Sequence, residues 1–254
     1  MANLVLALSL LLARVGTFVA IVPIFGGQVP RTVKAGLALA LTLFWFGALN
    51  GVVTDRAWLT QSTQVSWLVF GLVLGREALL GGLLGFAFGL FLAPAQIAGE
   101  YLTGEMGLSF GAQVDPSGGN SPGGLTQLLE SLALLLFLGL DTHHLFLAVF
   151  DNVLTRYPIG GGMPAWSMPQ LITGVAAVEE WGLLLAAPVG AFLFLTAIVL
   201  ALMTRAAPQL NLYSVGFPLR LAAGLVALLL FFSQMMSSLV AIFGRLGELL
   251  TRMV

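Results

Sequence analysis

Long apolar runs, separated by short polar or glycine-rich connectors, dominate the sequence. A helix that crosses a membrane needs about 20 mostly apolar residues, and about six runs approach or exceed that length. These runs are Leu4–Phe25, Ala35–Val53, Val65–Ala98, Leu125–Leu140 continued by Leu145–Leu154, Leu183–Met203 and Val215–Phe243. We predict an all-α polytopic membrane protein of about six hydrophobic segments that form kinked helical hairpins, with the last two runs forming one such hairpin.

Charged residues interrupt several of these runs, and Arg220 lies early in the last one. Arg14 lies near the middle of the first run, and Arg76 and Glu77 interrupt the third, which is too long for one upright span. An arginine at membrane depth costs about 2.5 kcal/mol or more unless it faces protein or water. Arg14 therefore either lines a path or pairs with a buried acid, or else it snorkels or lies in a segment that is not centred in lipid. The sequence leaves both interpretations open.

The positive charges do not define a topology. Basic residues divide almost evenly between the two sides of the six predicted segments, whereas the positive-inside rule depends on a clear bias. This distribution indicates that some segments are covered by other subunits rather than by lipid.

A stripe of small residues runs along the third apolar run. Its members are spaced by three or four residues, which places them on one helical face, and such faces let membrane helices approach closely. The stripe comprises Gly71, Gly75, Ala78, Gly82, Gly85, Gly89 and Ala93. We predict a helix-packing face centred on its glycines. Chance is the alternative, because the chain has 31 glycines.

A glycine-rich segment, Gly99–Gly124, separates two of the most apolar runs. It contains three acids and no Lys or Arg. The Asp115–Gly118 step favours a turn, because proline fixes φ and aspartate can bond its own backbone. Irregular backbone survives at membrane depth only inside protein or against a water-filled cavity. The segment is therefore either an ordinary surface loop, which composition alone favours, or a re-entrant or plugging loop.

Composition narrows the class of protein. Of the 254 residues, 59% are hydrophobic and 8% are charged, whereas a soluble domain carries about 25% charged residues. The chain is thus predicted to be an integral membrane protein, and its net charge of −1 argues against nucleic-acid binding. It has no cysteine, which excludes disulfides and thiolate chemistry. The first run lacks the features of a cleavable signal peptide, and we expect it to remain as a membrane segment.

The only histidines adjoin an acid, in Asp141-Thr142-His143-His144. Adjacent histidines on a helix point about 100° apart and do not easily face one ion, so we predict a polar helix break with Asp141 as an N-cap. The chain contains no nucleophile elbow, HExxH or phosphate-binding loop. We therefore predict no catalytic residue, no metal, no cofactor and no enzyme activity. There are two alternatives. One is a small-molecule carrier with Arg14, Asp141 and His143 along its route. The other is a membrane enzyme centred on Asp141 and the two histidines.

Three stretches resemble the FliR family of flagellar biosynthetic proteins, whose relatives serve injectisomes. They are Arg14–Gly16 with Pro23–Phe25 and Val29–Arg31; Ala98–Leu108 with Asp115–Pro116; and Ala207–Asn211 with Ser214–Leu219. The third is the most specific, since a PQLN…SVGFPL string seldom arises by chance, and the likeness covers the full length. Its hairpin-motif residues are Pro208, Gln209, Asn211, Gly216 and Pro218.

The resemblance implies a single export-gate domain over residues 1–254. Residues 1–170 would be a FliP-like part with a plug loop at about 106–122, and residues 171–254 a FliQ-like helical hairpin. The subunit would pack with FliP and FliQ in a hetero-oligomeric helical gate in the bacterial inner membrane, at the flagellar basal body. FlhB and FlhA would be further partners, and unfolded flagellar subunits would be the cargo. An injectisome-type export gate is the alternative within this likeness.

The plug loop carries the predicted mechanism. Its expected residues are Met106, Gly107, Leu108, Phe110, Gly111, Asp115 and Pro116. The resemblance implies that Met106, Leu108 and Phe110 help to seal the lumen. The adjacent glycines would let the loop, which is expected to be ordered, move aside for substrate without covalent chemistry.

Overall fold

The computed structural model describes residues 2–22, 29–48, 67–108, 123–162, 168–206 and 212–253. Within these ranges the chain forms eight α-helices, which confirms the all-α prediction. The helices are α1 (Ala2–Ile21), α2 (Arg31–Ala48), α3 (Trp67–Gly89), α4 (Ala93–Glu105), α5 (Gly124–Gly139), α6 (Thr142–Arg156), α7 (Met168–Ala206) and α8 (Leu212–Met253).

Four of the described helices are long and apolar enough to cross a membrane. Their apolar stretches are Leu4–Ile21, Trp67–Gly89, Ile172–Ala206 and Val215–Leu249. A fifth span arises if α5 and α6, which are separated by a short break, are counted as one broken segment. The prediction of a polytopic helical membrane protein is thus confirmed, with four or five candidate spans in place of about six.

The third apolar run breaks at a different place from the predicted one. Helix α3 continues through Arg76 and Glu77, and the helical pattern stops only at Leu90–Leu92. The restart carries Pro94 in the first turn of α4, a position where a missing N–H costs nothing. In a continuous helix Pro94 would have no N–H for the carbonyl of Leu90, and its ring would clash with that carbonyl, which explains the break at Leu90–Leu92. Ala93 therefore lies beyond the helix that carries the glycine stripe.

The described chain divides into two compact units, each built from separate stretches. The first unit comprises Met1–Phe91, Asp141–Gln170 and Gly247–Val254, and the second comprises Leu92–Leu140 and Leu171–Leu246. Each unit therefore contains residues from before and from after position 170. The division into FliP-like and FliQ-like parts concerns family likeness rather than compactness, and it stays a prediction.

Aromatic rings from four helices form the core of the first unit. Phe18 of α1 lies 5.2 Å from Phe88 of α3 and 4.9 Å from Phe150 of α6, measured between ring centroids. Trp45 of α2 lies 4.5 Å from Phe150, and its indole N–H donates to Asp151 Oδ1 at 3.2 Å. Pairs at these separations gain energy beyond simple burial, so this cluster holds α1, α2, α3 and α6 together.

Close approaches at glycines hold the second unit together. Helix α4 packs on α5 through Gly99 and on α7 through Gly182, which faces Ile97. Gly190, eight residues after Gly182 on the same face of α7, lies against the ring of Tyr101. Helix α4 thus lies close to α5 and α7 because one residue at each of these contacts carries no side chain.

Candidate functional site

The glycine-rich segment leaves α4 through a tight turn. The Leu108 N–H donates to the Thr103 carbonyl at 3.0 Å, and the Gly107 N–H donates to the Gly104 carbonyl at 3.0 Å. This pair of bonds is the Schellman arrangement, which ends a helix with a left-handed residue. Gly107 has a φ of 76°, a conformation that glycine adopts without steric cost. The sequence of the turn therefore matches its geometry.

Met106 and Leu108, on either side of Gly107, have different surroundings. The Met106 side chain is 1% exposed, whereas Leu108 is 37% exposed. Met106 lies across Gly224 of α8: a Cβ built at Gly224 would be 2.6 Å from Met106 Cγ and Cε and 2.7 Å from Sδ. The space that a side chain at Gly224 would occupy is thus filled by Met106. Of the predicted sealing residues, Met106 belongs to the core of the second unit and Leu108 lies at its surface.

The described residues at the two ends of the glycine-rich segment lie close together. Gly123, the N-cap of α5, lies so close to Thr103 that a Cβ there would be 2.8 Å from Thr103 Cγ2. The buried hydroxyl oxygens of Thr103 and Thr126 are 3.3 Å apart, and either can donate to the other. A Cβ at Gly99 would be 2.6 Å from the Cα of Thr126. The described residues on either side of 109–122, Leu108 and Gly123, therefore both lie beside Thr103.

The residues that hold the two ends of the segment are called the loop base below. They are Gly99, Thr103, Met106, Gly123 and Thr126. All five are small or apolar in their contacts, and none is charged. The sequence has no Lys or Arg between Arg76 and Arg156, so no ion pair to a basic residue within that stretch can fix the loop base. Its stability comes from backbone hydrogen bonds, two hydroxyls and close apolar contact.

Several predicted site residues lie outside the described residues. In the plug loop these are Phe110, Gly111, Asp115 and Pro116, and in the hairpin motif they are Pro208, Gln209 and Asn211. The other two hairpin-motif residues lie in the first turns of α8. Gly216 is buried there, and Pro218 is exposed within the helix.

The predicted helix-packing face divides into two parts. Gly82 and Gly85 lie against α1, where Cβ atoms would be 3.2 Å from Ile21 Cδ1 and 3.0 Å from the Phe18 carbonyl oxygen respectively. For Gly71 and Gly75, no described atom lies within 4 Å of a built Cβ. Gly89 is the last residue of α3. Only the C-terminal half of the stripe thus contacts helix α1, while the N-terminal half faces away from the described part of the chain.

A buried ion pair lies beside this contact. The Arg14 Nε donates to Glu77 Oε2 at 2.7 Å, and the side chains are 1% and 0% exposed. Arg14 also donates to the Tyr157 carbonyl at 2.9 Å, while Glu77 Oε1 accepts from the Gly160 N–H at 3.1 Å and from Arg76 at 3.3 Å. Of the two open interpretations of Arg14, pairing with a buried acid is confirmed. The pair joins α1, α3 and the turn that follows α6.

Asp141 and the two histidines lie together at the break before α6. Asp141 occupies the predicted N-cap position, with φ 54°, but within the described residues its side chain makes no capping hydrogen bond. The histidine rings do not diverge as expected, since their centroids are 4.2 Å apart. The three potential ligand atoms lie within 4.8 Å of one another, whereas ligands of one zinc ion lie at most about 4.2 Å apart. The group lies at an open polar break, and the absence of a metal site stays a prediction.

Sequence reasoning missed the residues that decide the closest contacts. They are Gly81, Thr103, Gly182, Gly190 and Gly224. A Cβ at Gly81 would overlap the Arg14 carbonyl oxygen and Thr17 Oγ1. The spacing of Gly81 and Gly85 by four, and of Gly182 and Gly190 by eight, carries the same signal as the predicted stripe. No sequence signal distinguishes Gly224 or Thr103, because their partners are far away in the chain.

Four described helices long and apolar enough to cross a membrane define the chain as a polytopic helical membrane protein. A family model described as "Bacterial export proteins, family 1" matches residues 5–246. The chain belongs to this family of bacterial export proteins.

Curated relatives extend along most of the chain. The flagellar biosynthetic protein FliR of Escherichia coli (strain K12) is 31% identical over 84% of this chain and 79% of its own length. FliR of Bacillus subtilis (strain 168) is 28% identical over 88% of this chain and 85% of its own length. The Yop proteins translocation protein T of Yersinia pestis is 27% identical over 91% of this chain and 88% of its own length. Family and relatives together identify a multi-pass membrane component of a type III protein-export apparatus, and the family is one of secretion components rather than enzymes.

Proposed function

We propose that this chain is a subunit of a flagellar type III export gate in the bacterial inner membrane. It forms, together with FliP and FliQ, the pore through which unfolded flagellar proteins pass, and FlhB and FlhA are the neighbouring partners. Family membership supports the export role. The exposed apolar faces of the long helices α7 and α8 support the association with other membrane helices, because more than half of each apolar stretch is uncovered within the chain.

We further propose that residues 106–122 act as the plug of the closed pore. One observation carries this proposal: the segment starts and finishes at Thr103, whose carbonyl accepts the Leu108 N–H and whose side chain lies against Gly123. A plug whose two ends are held at one point stays at its site when it opens, and a reversible plug requires this.

In the closed gate, Leu108 and Phe110 supply apolar side chains that exclude water and ions from the lumen. The glycines around them, with Asp115 and Pro116 at a turn, let the backbone bend aside when a substrate enters. No bond is made or broken, and no cofactor or metal takes part. The energy for transport comes from the partners and the proton gradient.

Deletion of residues 110–117 tests the plug. The fixed loop base leaves the rest of the subunit in place, so the assembled gate should form normally and leak ions. Conductance of the purified gate in liposomes measures the leak, and the amount of co-purified FliP and FliQ verifies assembly. Replacement of the same eight residues by a flexible polar segment of equal length serves as the control for loop length, and it should leak as well. Unchanged conductance in a normally assembled deletion variant would refute the plug.

The flagellar assignment competes with an injectisome-type gate. The flagellar relative from Escherichia coli is more similar to this chain than the Yersinia relative, at 31% against 27% identity. Expression in an Escherichia coli strain that lacks its own FliR should restore swimming in soft agar. Restored secretion in a Yersinia strain lacking its translocation protein T, without restored swimming, would favour the injectisome instead.

A small-molecule carrier is the second class of function. Saturable uptake of a solute by the lone polypeptide in liposomes would support a carrier, and we expect none. For the enzyme alternative, joint replacement of His143 and His144 by alanine should leave export unchanged.

A further inference from the structure

We infer that Ser233, Gln234 and Ser237 of α8 form a polar patch that binds a membrane helix of another subunit, through hydroxyl or amide side chains on that helix. The inference rests on the proposed function, because the export gate supplies the other subunit. It names the side of α8 that the partner covers and the chemistry that the partner presents there.

The polar patch lies at the centre of an apolar helix. The candidate span of α8, Val215–Leu249, has 35 residues, whereas an upright helix crosses the apolar layer of a membrane with about 20 residues. Every stretch of that length within Val215–Leu249 includes Ser233 and Gln234, and Ser237 follows one turn later. Wherever α8 crosses the membrane, the first two residues of the patch therefore lie within the apolar layer.

The two serines point away from the core of the second unit. Met235 and Leu239 are buried, and each lies two residues after a serine of the patch, a rotation of about 200° on a helix. Ser233, Gln234 and Ser237 are exposed. Because residues three and four apart are neighbours on a helix surface, the three side chains form one continuous patch on the uncovered side of α8.

The side chains of the polar patch make no hydrogen bond within the described residues. Other hydroxyls bond to their own helix: Thr42 Oγ1 donates to the Ala38 carbonyl at 2.6 Å. Thr196 Oγ1 does the same with the Phe192 carbonyl at 2.9 Å. The patch serines lack this local bond, and an amide or hydroxyl without any hydrogen bond is unfavourable in an apolar layer. The surface therefore needs a partner with hydrogen-bonding groups.

Apolar side chains above and below the polar patch favour a helix over a water-filled lumen. Val226 and Leu230 are exposed before it, and Val240 is exposed after it, on the same side of α8. The wall of an aqueous conduit would be polar along its length, whereas here the polar groups are confined to about one turn. A Cβ at Gly244, further along this side, would have no described atom within 4 Å, so a helix can approach closely there. An apolar helix with a polar centre fits this surface.

Competition between two copies of the chain measures what the polar patch contributes to assembly. The unsubstituted chain and a variant, with different tags, are expressed together with FliP and FliQ, and the gate is captured through FliP. Gln234→Met keeps the length of the side chain without its hydrogen bonds. We expect its share in the gate, relative to its share in the membrane, to fall about threefold, the size of one hydrogen bond between membrane helices. The Ser233→Ala, Gln234→Met, Ser237→Ala variant should fall on the order of tenfold.

Two control variants separate hydrogen bonding from misfolding. Thr196→Val removes a hydroxyl that is already bonded within α7, and it should compete equally with the unsubstituted chain. Gln234→Asn keeps the amide, and its share should lie nearer to that of the unsubstituted chain than to that of Gln234→Met. Thermal unfolding of the lone chain in mild detergent should be unchanged by Gln234→Met. A loss of stability there, or equal competition by all patch variants, would overturn the proposal.

Photo-cross-linking identifies the occupant of the surface. Val240→p-benzoylphenylalanine places the reactive group beside the polar patch and leaves the patch intact. Irradiation of the assembled gate should join position 240 to a membrane helix of FliP or FliQ, and the joined peptide should contain Ser, Thr, Asn or Gln. A cross-link to a second copy of this chain or to an exported protein would overturn the proposal, and so would cross-linking to lipid alone.

The outcomes distinguish this inference from the proposed function. If FliP and FliQ do not co-purify with the unsubstituted chain, the proposed function fails. A cross-link from position 240 to a hydroxyl- or amide-bearing helix of another identified membrane protein would then still support the polar patch. If the gate assembles and exports while the patch variants compete equally, the proposed function stands and the polar patch fails.

Discussion

Two buried helix contacts in this molecule are built from opposite chemistry. Helix α1 is joined to α3 by the Arg14–Glu77 ion pair, with Gly81 letting the backbones approach. The loop base joins α4 and α5 through two threonine hydroxyls and two glycines, and α4 and α8 through a methionine side chain, without any charge. The side chains at both contacts are buried, but only the first contact contains ionised groups.

The two contacts differ in the free energy that separating their helices would cost. Separating α1 from α3 would leave two charges unpaired in an apolar interior, and loss of one partner of such a pair costs about 3–5 kcal/mol. Separating the loop base loses contacts and a neutral hydrogen bond worth about 1 kcal/mol. The first contact is therefore suited to remaining closed throughout the life of the protein, and the second to opening reversibly. The following substitutions test this contrast, from the largest expected effect to the smallest.

Removal of one charge should have the largest effect. Glu77→Ala leaves Arg14 buried without its acid and removes the acceptor for the Gly160 N–H, so we expect a loss of stability of about 3–5 kcal/mol. Thermal unfolding of the purified chain in mild detergent measures it. Glu180→Gln, an exposed acid on α7, is the control and should change stability by less than about 0.5 kcal/mol. The combined Arg14→Leu, Glu77→Leu chain should recover most of the loss but not all, because the Tyr157 carbonyl and the Gly160 N–H lose their partners.

A methyl group between α1 and α3 should have the next largest effect. Gly81→Ala places a Cβ on the Arg14 carbonyl oxygen, a backbone atom that cannot turn away, and overpacking of this kind costs up to about 3 kcal/mol. Gly75→Ala, on the same helix with open space, should leave the stability of the isolated chain unchanged or slightly raised. If Gly75 contacts a partner helix, as the predicted packing face implies, its substitution should instead reduce co-purification of FliP and FliQ. Equal stability losses for both variants would contradict the observed contact.

A glycine-to-alanine substitution at the loop base should reduce stability by less. Gly99→Ala brings a Cβ within 2.6 Å of Thr126 Cα, but α5 can shift without exposing a charge, so we expect about 2 kcal/mol. Gly104→Ala, on the same helix and exposed with open space, is the matched control. A loss at Gly99 as large as that of Glu77→Ala would mean that the loop base is as rigid as the charged contact.

Loss of the hydroxyl pair should have the smallest effect on stability. Thr126→Val keeps the shape of the side chain and leaves the buried Thr103 hydroxyl without this partner, at a cost of about 1 kcal/mol. Denaturation in mild detergent measures the cost, and maleimide labelling at Leu108→Cys detects loosening of the loop. The Thr103→Val, Thr126→Val pair should be more stable than Thr126→Val alone, since no hydroxyl is then left unpaired. A double variant that is less stable than the single one would contradict the hydrogen bond.

Helix positions were largely predictable because membrane helices need long apolar stretches, and every predicted apolar run overlaps at least one of the described helices. The break within the third run was placed wrongly. The sequence suggested Arg76–Glu77, on the assumption that charges interrupt a membrane helix, but Glu77 pairs with both Arg14 and Arg76 and accepts from the Gly160 N–H. The true break follows from Pro94, whose effect is local and could have been read from the sequence.

The sequence by itself determined the class of protein and most of the helices, and it left open whether Arg14 pairs with a buried acid. Each of these follows from composition or from interactions between residues close in the chain. Only the tertiary structure decided that Glu77 is the partner of Arg14, that Met106 lies across Gly224 and that both ends of the glycine-rich segment lie at Thr103. Those contacts join residues 20 to 118 positions apart, and their energy depends on distances that no local pattern encodes.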